Sequence, residues 1–571
     1  MLHNLKKSLF EILIKIDKNV SINFEDVEVE TLFDKKGDFT TNAALKFSKI
    51  FGKNPNQLAD IILKGINLNN FEKVEIAGPG FINFFLKDES FNPQLFNYEK
   101  EFTENEKVNI EFVSANPTGP LHLAHGRGAV VGDILSNLFE YFGHPVTREY
   151  YVNNTGNQIN EFLSSILFSI SHTYNLNLNE KQFYKGDYIN DIAKNCYEKF
   201  KPLFDNKLSS DEKNNIVNYA IENLVNQTLQ TLGTAGIKFD QISYETTIMD
   251  KGHLPLILEK FKQKDLTYEG QLNAPKDFTG TLKDNQLTIF KSTLFEDDED
   301  RALTKNDGTP TYFANDIAYH EDKFQRGFNK LINIWGADHL GYLKRLSSAI
   351  TSLHPKIDFS VVFCQIVNLK RDNKIQKLSK REGNIFELKN LIDEIGIDNF
   401  RYFMSYRKND THMDLDIDLI KRENKENPIY YIQYSYARTQ SILNKVNKVV
   451  DTPVIITSEL KNLYKKLLEW DNVVKSAYLK KEVHLIAHYL ESLSSYFHTL
   501  WSSSKNKPSV KFLDNENNIS SNLIKLLHNY QNVLDEGLKI LGIKPKLKTV
   551  SYTHLRAHET DSYLVCRLLL E

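Results

Sequence analysis

Cysteine is scarce: only Cys196, Cys364 and Cys566 occur in 571 residues, far apart along the chain. That spacing offers no disulfide framework and fits a reducing compartment, so a cytoplasmic location is expected. Long apolar runs are missing too. None approaches the roughly 20 residues a helix needs to cross a bilayer, which argues against a spanning helix. A charge excess is also lacking, with 71 Lys and Arg against 74 Asp and Glu for a net of −3. Any contact with nucleic acid must then come from local patches, not from the field of the whole molecule. The opening MLHNLKKSLFEILIKI has neither the long apolar core nor the small-residue cleavage site of a signal peptide, and is expected to form an amphipathic helix. What remains is the composition of a soluble globular chain, 41% apolar and 25% charged, long enough for several domains with full cores.

The stretch that organises the rest runs from Glu111 to Asp133, EFVSANPTGPLHLAHGRGAVVGD. It reads as a strand, a loop with Pro117, Gly119 and Pro120, then the start of a helix. His122 and His125 sit where loop becomes helix. Unpaired N–H groups and a partial positive charge at a helix N-terminus suit phosphate. Gly126, Gly128 and Ala129 are small enough to let a nucleotide approach the backbone. Two plainer uses compete. A zinc half-site is disfavoured, because zinc takes roughly three or four protein ligands and no cysteine pair or third histidine clusters nearby. Ordinary helix capping would be the better reading of the pair taken alone.

Around this stretch the chain divides by pattern. Residues 1–90 read as a small α/β module: a helix over 5–18, two helical patterns joined at Gly52–Pro55, then strand-like VEIAGPGFINFFL around a Gly-Pro-Gly turn. Residues 91–106 are polar and read as a linker. From about 160 to Lys264 the pattern is mostly helical and rich in Lys, Asn and Glu, a solvated face. GTLKDNQLTIFKSTLF alternates like a hairpin with its turn at Lys283–Asn285. The acidic run Glu296–Asp300 reads as a solvated loop before a metal site. Tyr312 and Asp316 lie on one face if TYFANDIAYH is helical. LINIWGADHLGYLKRL reads as a buried strand, a sharp turn at Gly336 and a helix, and FSVVFCQIV as another buried strand. From about Arg401 the pattern is helical to the end. Tyr430, Tyr431, Tyr434 and Tyr436 cluster with Arg438, an arrangement suited to stacking on unpaired bases, although tyrosines at helical spacing more often pack a core.

Several of these segments, in order, resemble one family. PTGPLHLAHGRGA resembles the HIGH signature of class I aminoacyl-tRNA synthetases in the form used by arginyl-tRNA synthetases, with Ala124 where the signature has glycine. GDFTTNAA and AGPGFINFFL look like the N-terminal domain peculiar to that family, which touches the outer corner of the tRNA. WGADH, KLSKREGN and NPIYYIQY follow in the family's sequence, KLSKR resembling the KMSKS loop. The likeness covers about residues 1–548. It implies a Rossmann-like α/β catalytic core over 107–410 with a helical insertion at about 160–275, the small N-terminal α/β domain over 1–90, and an all-α anticodon-binding domain over 411–548. The final VSYTHLRAHETDSYLVCRLLLE changes character and resembles the translation of an appended adaptor, so residues 549–571 are set aside.

The resemblance also implies the chemistry. Arginine and ATP would give arginyl-adenylate and pyrophosphate, and arginine would then pass to the terminal adenosine of its tRNA. His122 and His125 would stabilise the phosphate transition state, and Lys377 and Lys380 the departing pyrophosphate, with Gly383 for bending. Gly119, Gly126 and Ser379 join them as ATP contacts. Selecting a planar, permanently charged guanidinium over lysine needs fixed carboxylates that accept a fork of hydrogen bonds. Glu111 and Asp316 are the candidates, with Tyr312 along the aliphatic stem, Asn116 at the α-amino or carboxylate end, and Ser114 and Asp338 completing the contacts. Tyr434, Tyr436 and Arg438 are the expected tRNA contacts. Magnesium would arrive with ATP, no structural metal is expected, no membrane is involved, and the family habit is a monomer. Two rival readings stay open at this point: a class I synthetase for another amino acid, and a catalytically silent RNA-binding relative. The missing zinc-type cysteine cluster weighs against a cysteine enzyme, and a carboxylate-lined pocket repels glutamate.

Overall fold

The computed structural model describes residues 1–17, 20–34, 36–90, 106–271, 286–376, 386–506 and 511–547. Its first helix, Leu2–Ile16, buries Leu2, Leu5, Leu9 and Leu13, the spacing of a single helical face. That face packs on the helix Pro55–Gly65, which in turn lies against a four-stranded antiparallel sheet in the order Glu30–Thr31, Phe39–Thr41, Phe81–Leu86, Phe71–Ala77. The helix Pro55–Gly65 starts where Asn54 accepts a hydrogen bond from the Asn56 N–H and Pro55 takes the first helical position.

The centre is a five-stranded, wholly parallel sheet. Its strands are, across the sheet, Asp358–Cys364, Lys330–Gly336, Val108–Glu111, Val146–Val152 and Gln241–Tyr244. In chain order that is 5-4-1-2-3, the doubly wound arrangement. Its direction reverses between Val108–Glu111 and Lys330–Gly336, where such sheets bind ligands beyond the strand ends. Both flanking helices of that crevice are anchored by sequence. Leu123–Tyr141 follows the histidine turn, and Tyr312–Gln325 opens where the Thr311 hydroxyl accepts from the Ala314 N–H.

Between the second and third strands lie the helices Asn157–Tyr174, Asp187–Phe200 and Ser210–Thr234, with their own core around Phe162, Ile166, Ile192, Cys196 and Ile221. The strand Leu287–Phe290 does form, but its hairpin partner is Thr267–Gly270, and Arg301–Ala302 adds a third strand. The turn expected at Lys283–Asn285 lies outside the described residues. Three carboxylates of the acidic run share one cation: Arg301 pairs with Asp297 at 2.9 Å and also with Asp298 and Glu299.

The C-terminal region is not helical throughout from Arg401. Met413–Asp416 is a strand that pairs in parallel with Val367–Arg371, the central strand of a small sheet completed by Lys374–Gln376. Beyond it come the helices Pro428–Leu443, Ser458–Leu468, Trp470–Lys480, His484–Asn506 and Ser521–Leu541, packed around Leu463, Trp470, Leu490 and Tyr530. The N-terminal sheet docks on this bundle. Asp38 lies 3.2 Å from both Lys461 and Lys465, and Phe33 stacks on Tyr496 with ring centroids 4.8 Å apart. Among the described residues no helix is long and apolar enough to cross a membrane. The tail 549–571 lies outside them.

Candidate active site

The strand Val108–Glu111 ends abruptly. Val113 and Ser114 both have left-handed backbone, with φ of 70° and 36°, a conformation that costs a residue with a side chain roughly 1–3 kcal/mol. The turn brings the Ser114 hydroxyl back to Glu111, to which it donates at 2.9 Å, while it accepts from the Tyr151 N–H at 3.1 Å. Glu111 is thereby fixed at the strand end, in the crevice.

Facing it, the helix Tyr312–Gln325 presents Asp316, His320 and Lys323 at helical spacing. The Tyr342 hydroxyl, at the end of the turn Ala337–Tyr342, donates to Asp316. Glu245, buried at the start of Glu245–Asp250, accepts from the Asn315 amide at 2.7 Å. Burial pushes the Asp316 carboxyl up to about 7; the Tyr342 hydrogen bond opposes this, the like charges of Glu111 and Glu245 add to it, and the Lys323 charge offsets part. Burial, together with Glu245, Asp316 and Glu111, also drives the Tyr151 phenol far above its ordinary range, so it stays protonated. The result is an acid-lined slot with three carboxylates and two phenols.

The slot rests on a buried polar floor. Glu149 accepts from both Arg326, at 2.8 and 2.9 Å, and Ser243, at 2.6 Å. His320 is held neutral, its ring pushed down to about 3 chiefly by burial and then by Lys323. Its Nδ1 donates to the Asp316 carbonyl at 2.7 Å, and its Nε2 accepts from Asn333 at 3.1 Å.

Some expected contacts come together and others do not. Glu111, Ser114 and Asp316 share the slot. Tyr312 is exposed at its mouth, where its hydroxyl lies against Gly156. Asn116 donates to Gln158 at 2.9 Å on the exposed rim. Asp338 stands apart: it is largely exposed, and its carboxylate meets the equally exposed His339 at 3.7 Å. The same turn contributes Tyr342 instead. That residue, like Glu245, Tyr151 and Lys323, was missed because neither motif nor spacing marks it.

On the other wall His122 caps the helix Leu123–Tyr141. Its backbone N–H donates to His125 Nδ1 at 3.2 Å, and the two rings lie 3.9 Å apart. Gly126 does not face open space. A methyl group there would sit 2.8 Å from Leu388 and 3.2 Å from Phe400, so this glycine serves helix packing. Gly128, whose nearest neighbour would be Ile334 at 3.8 Å, is the roomier position on the crevice side. Gly119 backs onto the Tyr188 phenol, which donates to the Thr118 carbonyl at 3.0 Å. Ala124 is exposed. Lys377, Ser379, Lys380 and Gly383 lie outside the described residues. The chain beyond them, however, is tied to the histidine turn: Glu387 bridges to His122, and the Leu388 N–H donates to the Leu121 carbonyl at 2.9 Å.

Family models match the chain over three spans: an arginyl-tRNA synthetase N-terminal domain over 3–86, the class I (R) tRNA synthetase catalytic domain over 92–418, and a DALR anticodon-binding domain over 432–548. An arginine–tRNA ligase of Pelagibacter ubique is 38% identical over 539 residues, covering 89% of this chain and 91% of that one. The chain belongs to the arginyl-tRNA synthetase family. An arginine–tRNA ligase of Staphylococcus carnosus is also 38% identical, over 84% of this chain and 88% of its own. A solved structure described as a putative arginyl-tRNA synthetase of Campylobacter jejuni superposes with TM-score 0.66 at 31% identity, covering 86% of this chain and 99% of that one. The Thermus thermophilus arginyl-tRNA synthetase superposes at 0.72 with 18% identity over 96% of this chain and all of its own, a likeness of fold. This synthetase is therefore an arginine–tRNA ligase of class I, and neither rival reading finds support.

In the C-terminal domain Tyr434 and Tyr436 are buried, 8% and 5% exposed. The helix Pro428–Leu443 is sandwiched between His484–Asn506 and Ser521–Leu541, which turns both inward. Tyr434 stacks on His498, with centroids 5.6 Å apart, and Tyr436 bonds to Asp535 and Gln531. Their expected place on an RNA-facing surface is corrected to packing. Arg438 remains partly exposed, lying 4.3 Å over Tyr434 and 4.6 Å over Trp501.

Proposed function

We propose that the slot of Glu111, Asp316 and Glu245 binds the arginine guanidinium, and that the turn of His122 and His125 binds the ATP phosphates beside it. The observation that carries this reading is the unbalanced charge of the slot: three carboxylates face one internal ammonium. A guanidinium supplies both the missing positive charge and a planar set of donors. Tyr312 at the mouth suits the aliphatic stem, and Asn116 on the rim suits the α-amino or carboxylate end.

Arginine's own carboxylate then attacks the α-phosphorus, and the bond to pyrophosphate breaks. No protein nucleophile is needed. With Nδ1 accepting from the backbone, the ring proton of His125 sits on Nε2 and can be donated to a phosphate oxygen as charge develops. The positive end of the helix Leu123–Tyr141 adds to that stabilisation. Lys377 and Lys380 neutralise the departing pyrophosphate; the anchoring of Glu387 beside His122 supports their reach. Among the described residues no group of three or more His, Cys, Asp or Glu could hold a metal, so magnesium is proposed to be held by ATP's own phosphates. The terminal adenosine of tRNA then takes arginine from the adenylate through a ribose hydroxyl, the 2′-hydroxyl first by family habit. Arg438 is the proposed RNA contact of the helical domain, and the proposed setting is a cytoplasmic monomer.

Radiolabelled arginine, ATP and total tRNA test the whole reading. Charged tRNA with release of AMP is the expected outcome. No charging, or charging with another amino acid, would overturn it.

A further inference from the structure

The slot contains a cation of its own. Lys323 is completely buried, and its ammonium lies 2.6 Å from Glu111 Oε2. It also lies 3.4 Å from Asn333 Oδ1 and 4.3 Å over the centre of the Tyr319 ring. Two of its three donors thus go to oxygens, and the ring face of Tyr319 covers another side of the charge. Asn333 is itself paired across the sheet with Glu111 and donates to the neutral His320, so the site around the ammonium is rigid. Glu111 Oε1, in turn, accepts from Ser114.

We infer that Lys323 is a resident ammonium that makes the slot selective for arginine over lysine. Resting on the reading that this slot binds arginine, the argument is one of occupancy. Glu111 Oε2 and Asn333 Oδ1 are acceptors on the inner wall that converge on one point, the arrangement a compact ammonium requires. Lys323 fills that point permanently. The acceptors left for a substrate, on Asp316, Glu245 and the remaining edge of Glu111, are spread over separate elements. A planar guanidinium with donors along two edges can span them. A point charge on a flexible stem can satisfy only some of them. Removing the Lys323 ammonium would strand two buried acceptors, which favour any donor able to reach them, and an incoming lysine carries the right one. Lys323 thus acts through Glu111 as a positioning and specificity residue and takes no part in the reacting bonds.

The test is the ratio of kcat/KM for arginine to that for lysine, measured by tRNA charging for the wild type, Lys323→Met and Lys323→Gln. Lysine is also measured as a competitive inhibitor against arginine. Wild-type charging with arginine checks the underlying reading separately. Both variants are expected to lose at least tenfold in the ratio, with the inhibition constant for lysine falling. Gln retains a hydrogen-bond donor but no charge. If Lys323→Met does not fold, the glutamine variant alone decides, a changed ratio supporting the inference. A folded variant that loses arginine activity while its ratio and lysine inhibition stay at wild-type values would overturn it, because a merely structural lysine would behave that way.

Discussion

Gly542 lies directly against the guanidinium of Arg401, so close that a methyl group in place of its α-hydrogen would overlap it. Arg401 is buried, pairs with Asp133 of the helix Leu123–Tyr141, and donates to the carbonyls of Leu541 and Ala235, the latter at 3.0 Å. One side chain thus ties the signature helix, the end of the insertion and the end of the last helix. Arg401→Leu is expected to cost about 3–5 kcal/mol by stranding Asp133 and two carbonyls. Gly542→Ala is strained by its φ of 67° as well as by overlap, and should cost at least ~1–3 kcal/mol. Denaturant titration reads both; a Gly542→Ala variant as stable as wild type would show that Arg401 does not hold this place.

Asp316→Asn removes one carboxylate from the slot while retaining its shape. KM for arginine should rise roughly 100-fold, the lower end expected when a buried charged pair loses a partner. KM for ATP should hardly change. Steady-state charging at varied arginine measures this, and an unchanged KM for arginine takes Asp316 out of the pocket.

The raised carboxyl of Asp316, about 7, makes arginine binding depend on pH. At pH 8 the group is ionised and ready. At pH 6 it is protonated, and arginine must expel the proton. KM for arginine should therefore climb as pH falls below 7, approaching about tenfold per unit. Calorimetry in buffers of different ionisation heat should find roughly one proton released at pH 6 and almost none at pH 8. The folded value lies above the unfolded value of about 4. The ionised group therefore costs stability, and that cost grows as pH rises from about 4 to 7. Arginine relieves it, so its thermal shift should be larger at pH 8. A KM flat between pH 8 and 6 would contradict the assignment.

Gly126 and Gly128 should separate packing from nucleotide access. Gly126→Ala pushes on Leu388 and Phe400 and is expected to lose about 1–3 kcal/mol, as overpacked sites do. Gly128→Ala finds space, with Ile334 3.8 Å away; stability should hold while KM for ATP rises. Melting curves and ATP titrations of the two variants check this, and the reverse pattern would exchange their roles.

Lys380→Ala should slow adenylate formation far more than it weakens arginine binding, because its proposed partner is the leaving pyrophosphate. Single-turnover activation compared with equilibrium arginine binding gives the two numbers. Equal effects would contradict the role.

Much of the fold could be read from local chemistry. Thr311 and the apolar face behind it announce the helix Tyr312–Gln325, and the run Leu331–Gly336 announces a buried strand. The interior charges could not be read this way. Arg127 is fully buried and donates to the carbonyls of Gln365, Arg407, Lys408 and Thr411, partners 238–284 positions away that carry no side-chain signature. Lys323 and Arg401 are residue types that normally sit at the surface, and only assembly of distant segments explains their burial. Gly126 illustrates the converse. Its small size beside the histidines suggested room for a ligand, but the helix turns it toward Leu388.

The docking of the N-terminal sheet on the helical bundle sets a timetable for synthesis. Lys465 donates to the carbonyl of Leu32, 433 positions earlier in the chain. At about 5–20 residues per second the ribosome takes roughly 20–90 s to deliver that partner. Throughout that interval the nascent sheet lacks the bundle partners of Phe33 and Asp38, so its docked face is completed only after the helical bundle has been made.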